Sequence, residues 1–156
     1  DGQSVVNFVV LYNKDAFFNM DVIGIGSAAY DAANINGMNV TPINFGAGSD
    51  GTDKSGLMRF ANKRAECYWL FRESLDPESE IKIALPPDPE LEADLCSARW
   101  QSMSGKIKIE SKEDIKKRLG RSPDAADAVV LADAGRALEW TDAGARKIKD
   151  YNNRWS

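Results

Sequence analysis

Three aspartates stand where an acid needs a chemical reason. Asp21 lies inside the apolar run 17–25, directly before the turn Gly24-Ile25-Gly26-Ser27. A carboxylate there is costly to desolvate unless it is paired, hydrogen-bonded or bound to a cation. The other reading is an acid at a solvated strand end. Asp124 and Asp127 are three residues apart in a helical stretch and therefore face the same side. Asp124 suits the positive end of a helix dipole. Asp127 is set among Ala125, Ala126, Ala128, Val129 and Val130, a surface made for close packing. Two such acids on a helix and one on a strand form an oxygen set of the kind that holds Mg²⁺ or Mn²⁺.

Other chemistry is narrowed by what the chain lacks. It contains no histidine, which removes Ser-His-Asp and Cys-His catalysis, imidazole zinc sites and histidine bases. Cys67 and Cys96 lack C-x-x-C spacing and read as small buried hydrophobes. Residues 24–29 fit G-x-G-x-x-A, yet residues 42–46 offer no acid to hold a ribose. The loop 46–55 lacks the Gly-Lys pair of a phosphate-binding loop, and Ser27 has no base to activate it. The net charge of -4 conceals an asymmetry. Residues 76–94 carry seven acids and one base, and residues 106–121 carry seven bases and three acids. The basic segment either holds a phosphate backbone or is a solvated helix face.

The elements that position these residues follow from hydrophobic period and punctuation. A chain of 156 residues, 43% hydrophobic and 28% charged, suits one domain with a substantial core. Residues 4–12 are apolar and β-branched, and fit a buried helix or a strand. Residues 17–25 read as a central strand and 38–45 as the next. Between them Ser27 caps a helix reaching Ile35, stopped by Asn36-Gly37. A strand-helix-strand unit implies a parallel pair. Residues 46–56 are turn formers, and Leu57, Phe60, Ala61, Ala65, Tyr68 and Phe71 predict a helix over 57–75. Further on, 81–85 reads as a strand, 90–98 as a helix, 106–110 as a half-buried strand, and 112–119 as a basic helix closed by Gly120. Ser122 as cap, Pro123 at the first helical position and Asp124 in the first turn open a last helix to about Leu138. That leaves 1–138 as the folded domain and 139–156 as a polar tail. No apolar run has membrane-crossing length and no signal-peptide pattern is present, so a soluble intracellular protein is expected.

Three blocks give the sequence a family likeness: Asp21-Val22-Ile23-Gly24-Ile25-Gly26-Ser27, then Asn62-Lys63-Arg64-Ala65-Glu66, then Lys108-Ile109-Glu110-Ser111-Lys112 with the run 116–128 through Ser122-Pro123-Asp124-Ala125-Ala126-Asp127-Ala128. In order and separation they resemble the nuclease domain of the tailed-bacteriophage terminase large subunit, over roughly residues 1–135. The resemblance implies an α/β fold of RNase H-like type, a mixed sheet flanked by helices with an added β-hairpin. It also implies two divalent ions, Mg²⁺ or Mn²⁺, and cutting of concatemeric double-stranded DNA during genome packaging. On that basis Asp21 is the central-strand acid, and Asp124 or Asp127 the acid of the closing helix. The family's first metal-binding Asp sits on an N-terminal strand, expected upstream of Asp1 together with the ATPase motor domain. The partners implied are DNA, that ATPase domain, the small terminase subunit and the portal, in the host-cell cytoplasm and with no membrane. Lys112 and Arg121 flank the acid helix and are expected to contact phosphates without reading sequence. Two other classes stay open, a nucleotide- or dinucleotide-binding α/β domain and a non-catalytic packaging or interaction module.

Overall fold

In the computed structural model, which describes residues 2–13 and 17–141, a short parallel pair forms one end of the molecule. β1 (Phe18–Asp21) lies beside β2 (Val40–Ile43), with Asp21 opposite Ile43. A parallel pair needs a crossover, and α2 (Ile25–Ile35) supplies it. The ambiguous segment 4–12 is helical. In α1 (Gly2–Asn13), Val6 joins Ala33 and Met38 in a small buried cluster that seats α1 on α2.

A second sheet has the order β3 (Arg59–Phe60), β5 (Lys106–Ile109), β4 (Trp100–Met103), parallel between β3 and β5 and antiparallel between β4 and β5. The last two strands are the expected hairpin. Ser104 and Gly105 at its tip both have positive φ, 51° and 74°, as a two-residue turn matched to strand twist requires. The helices α3 (Lys63–Ser74), α4 (Pro89–Ser97), α5 (Lys112–Leu119) and α6 (Asp124–Thr141) complete the order. The main core joins Ile43 and Phe45 to Cys67, Tyr68 and Phe71 of α3 and to Val130 and Ala134 of α6. Across α3, Phe60, Ala65, Trp69 and Ile107 seat the second sheet, and Trp100 meets Trp69 edge-on at 4.9 Å.

Several expectations change. Residues 57–62 are not helical. The Asn62 side chain accepts from the Ala65 amide at 2.9 Å and starts α3 at Lys63. Phe60 is buried as part of a strand, while Leu57 is 83% exposed, so their helical spacing is coincidental. Residues 81–85 form no strand. Ile83 and Leu85 pack irregularly against the main core. α2 begins before Ser27, with Gly24 at the cap position, and the Ser27 hydroxyl donates back to the Gly24 carbonyl at 2.9 Å. β1 stops at Asp21, which puts that acid at a strand end. α6 begins at Asp124, one residue later than expected, and continues to Thr141, so position 138 lies within a helix; residues 142–156 of the expected tail are outside the described residues. α5, closed by Gly120 at φ 77°, matches its expected bounds. Cys67 is buried as expected, whereas Cys96 is exposed.

Two measurements check this arrangement. Phe60→Ala should cost about 3–5 kcal/mol in urea unfolding, and Leu57→Ala no more than about 0.5 kcal/mol. Comparable losses at both sites would restore a helix over 57–60. Burial pushes the Cys67 thiol up to about 12, with help from the neighbouring Glu66 charge. A disulfide reagent at neutral pH should therefore modify Cys96 quickly and Cys67 only on unfolding, and two fast equivalents would show that α3 opens.

Candidate metal centre

The chain leaving β2 runs directly into the start of α3. The Phe45 carbonyl accepts from the Arg64 amide at 3.0 Å and the Ala47 carbonyl from the Lys63 amide at 2.9 Å. Arg64 is thereby delivered beside the Phe45 ring, 6.0 Å from its centroid. Asp21 ends β1 at this same end of the parallel pair, because it lies opposite Ile43. It is half-buried, and its Oδ1 accepts from the Ile23 amide at 3.2 Å. The glycine turn that follows has a steric purpose. A Cβ on Gly26 would lie 1.8 Å from the Asp21 carbonyl oxygen, so only glycine lets α2 start so close to the acid. Two residues earlier on the same side of β1, Asn19 donates to the Leu131 and Ala132 carbonyls at 2.9 and 3.1 Å, tying the strand to α6.

Asp127 projects from α6 with only 14% of its side chain exposed. Its Oδ1 accepts from both Arg64 Nη1 and the Tyr68 hydroxyl, and its Oδ2 lies 3.1 Å from Lys112 Nζ. The same ammonium is 2.7 Å from Asp124 Oδ1, so the two helix acids share one cation, as their spacing requires. Ionisation follows the network. Hydrogen bonds from Lys112 and then Ser122 hold the Asp124 carboxyl below the usual aspartate value. Partial burial pulls Lys112 down, but the bonds to Asp124 and Asp127 outweigh it and the ammonium titrates above its usual value. Burial raises the Tyr68 phenol, which therefore stays protonated as a donor to Asp127.

Arg121 is engaged elsewhere. It forms an ion pair with Asp94 of α4, whose side chain is wholly buried, and a looser one with Glu90 at 3.8 Å. Asp94 Oδ2 also accepts from the Ala125 amide at 3.2 Å, so an acid of α4 caps α6 from across the helix interface. Ser122, expected to be the cap, instead donates to the Asp124 carboxylate at 2.9 Å. Asp94 and Tyr68 escape a reading by motif. Leu91, Asp94 and Leu95 do lie on one helical face, a spacing that places the acid on the buried side of α4.

Among the described residues no group of three or more acids is close enough to hold an ion together, and Asp21 does not join the Asp124–Asp127 pair. The donor set nevertheless suits a hard cation. Two carboxylates converge on one point, and that point is held by the Lys112 ammonium.

The α/β fold that carries these acids is shared with solved structures. The nuclease domain of the large terminase subunit of bacterial virus Sf6 aligns with a TM-score of 0.56 at 19% identity. A lysine-to-alanine mutant of that domain gives 0.58 at 21% identity, both with manganese and with calcium. Each alignment covers 84% of this chain and 70% of the viral one. No family model and no curated protein matches the sequence. The chain therefore has the RNase H-like fold of phage terminase nuclease domains.

A double-mutant cycle tests the position of Arg121. Arg121→Ala strands a buried carboxylate and should cost about 1–3 kcal/mol. Adding Asp94→Asn should return part of that loss. A cost within about 0.5 kcal/mol would make Arg121 a solvated surface cation.

Proposed function

We propose that this chain is the nuclease domain of a phage DNA-packaging terminase, a divalent-metal-dependent endodeoxyribonuclease that cuts concatemeric double-stranded DNA. The observation that carries the reading is the convergence of Asp124 and Asp127 on a single cation position, in a fold shared with terminase nuclease domains. The related viral domain has been determined with manganese and with calcium, both ions of oxygen sites. In this reading Asp124 and Asp127 would hold Mg²⁺ or Mn²⁺ together, and Asp21, which stands apart from that pair, would be a ligand from the end of β1. When bound, such ions polarise the phosphodiester and lower the pKa of a bound water.

The chain's own residues have separable tasks in this scheme. Arg64 and Tyr68 hold Oδ1 of Asp127 and so orient Oδ2 toward the cation position. Lys112 offsets the repulsion between the two carboxylates until an ion replaces it, and is then placed to meet a phosphate oxygen. Arg121 remains with Asp94 and fixes where α6 begins. The dinucleotide alternative loses its fingerprint, because the glycines of 24–29 serve the close approach of α2 to Asp21. The ATPase motor domain, small subunit and portal are the partners that this role requires. No helix among the described residues is long and apolar enough to cross a membrane.

Nicking of supercoiled plasmid with Mn²⁺, with EDTA as control, is the direct test. Asp21→Asn and Asp127→Asn should each abolish metal-dependent nicking, with Asp21→Asn keeping the melting temperature of the metal-free protein. Lys112→Ala should tighten Mn²⁺ binding measured by electron paramagnetic resonance, since it removes the competing cation. Nicking that survives EDTA, or full activity in both aspartate variants, would overturn the assignment.

A further inference from the structure

The basic segment 106–121 does not present its charges where a helix reading puts them. Lys112 is committed to Asp124 and Asp127, Arg118 to Glu110, and Arg121 to Asp94. Lys106 and Lys108 are exposed and lie on the second sheet, not on a helix. Directly paired residues share a face of a sheet, and alternate residues along a strand return to it. The register sets Arg59 beside Lys106, Lys106 beside Met103, and Lys108 beside Gln101. Arg99, whose carbonyl accepts from the Glu110 amide, continues the same face one step along. All four cations are exposed, while Phe60 and Ile107 turn the other way into the core around α3.

One acid stands on this face, Glu110, two residues beyond Lys108 and beside Arg99, whose charge joins the Arg118 hydrogen bonds in holding its carboxyl low; Arg59, Lys106 and Lys108 have no acid in register with them. Glu110 is held by Arg118 at 2.7 and 3.1 Å. Asp53 is occupied by the Met58 amide and the Ser55 hydroxyl. Like charges in register destabilise a sheet. Charged residues often protect an exposed sheet edge, but β5 is the central strand, so Lys106 and Lys108 have no edge to protect. Among the strand residues in register on this face, Met103 is the one large apolar side chain, so they offer no apolar centre by which a protein partner would be anchored.

We propose that this face of the second sheet is where duplex DNA lies, held through its phosphates by Arg59, Arg99, Lys106 and Lys108. The proposal rests on the nuclease reading and adds to it the surface that carries the substrate. Lys112 is four residues beyond Lys108 along the same chain, within about 13 Å in extended backbone, so the face leads toward the acids. Contacts of this kind position a duplex without reading its bases.

The test is a salt titration of binding to a labelled mixed-sequence duplex in EDTA. Arg59→Gln/Lys106→Gln/Lys108→Gln should reduce the slope of log affinity against log salt by about 0.9 for each phosphate no longer neutralised. It should also weaken binding about 100-fold at low salt, while Mn²⁺ affinity stays that of the parent. Lys82→Gln/Lys117→Gln, which removes two cations off this face, should leave the slope unchanged. An unaltered slope in the triple variant would overturn the face and leave the nuclease reading intact. Equal reductions per charge in both variants would also overturn it, by showing that any surface lysine serves. Absence of duplex binding and of Mn²⁺-dependent nicking in the parent protein would overturn the nuclease reading itself.

Discussion

An almost buried carboxylate in the first turn of a packed helix is the constraint around which this molecule is arranged. Asp127 sits between core residues Ala126 and Val130. Taking its charge out of water costs several kcal/mol unless donors and cations surround it. Three groups do so, each from outside α6: Arg64 and Tyr68 from α3, and Lys112 from α5. The packing of α3 against α6 and the placing of α5 immediately after β5 are therefore electrostatic requirements as well as hydrophobic ones.

The same arrangement recurs at the two other acids turned inward. Glu66 is wholly buried and is met by Lys63 at 2.9 Å and by the Ser49 hydroxyl at 2.7 Å. Asp94 is wholly buried and is met by Arg121. In each case the acid is inside, and the base keeps part of its stem in water, 24% exposed for Lys63 and 43% for Arg121. Long cationic side chains permit this because their methylenes can lie along apolar surface while the charge reaches inward or outward. Acids therefore fix where the helices sit, and bases reach in from the surface to meet them.

Much of this is legible in the sequence where the signal is local. Gly120 closes α5 at the expected place, because a turn glycine acts within a few residues, and the spacing of Leu91 and Leu95 finds α4 to within a residue. The parallel pair follows from the strand-helix-strand order. Spacing misplaces the start of α3, because Phe60 belongs to a strand whose partner, Ile107, lies far along the chain, and a local period does not see that pairing. The strand expected at 81–85 is absent, and Ile83 and Leu85 reach the main core without pairing to a sheet. Asp124 and Asp127 can be chosen as neighbours from their spacing. That Arg121 turns away to Asp94 depends on the meeting of α4 with the start of α6, which no local pattern carries.

The hydrogen bonds at the base of the hairpin segment have a consequence for how the protein can change. Arg118 Nη2 donates to the Ser97 carbonyl at 2.6 Å, and Asp94 holds both Arg121 and the Ala125 amide. The chain between α4 and α6 is thus an excursion whose two ends are already fastened together. Lengthening such an excursion is inexpensive, about 0.6 kcal/mol for each doubling of a flexible loop. Its ends would stay in place, and so would the first turn of the acid-bearing helix. Arg99, Lys106 and Lys108 lie on this excursion, whereas Asp21, Asp124 and Asp127 lie outside it. The hairpin tip at Ser104 and Gly105 can therefore lengthen while Asp124 and Asp127 keep their positions, whereas β5 and α5, which carry the buried Ile107 and the Lys112 that meets both acids, are tied to the core and to those acids.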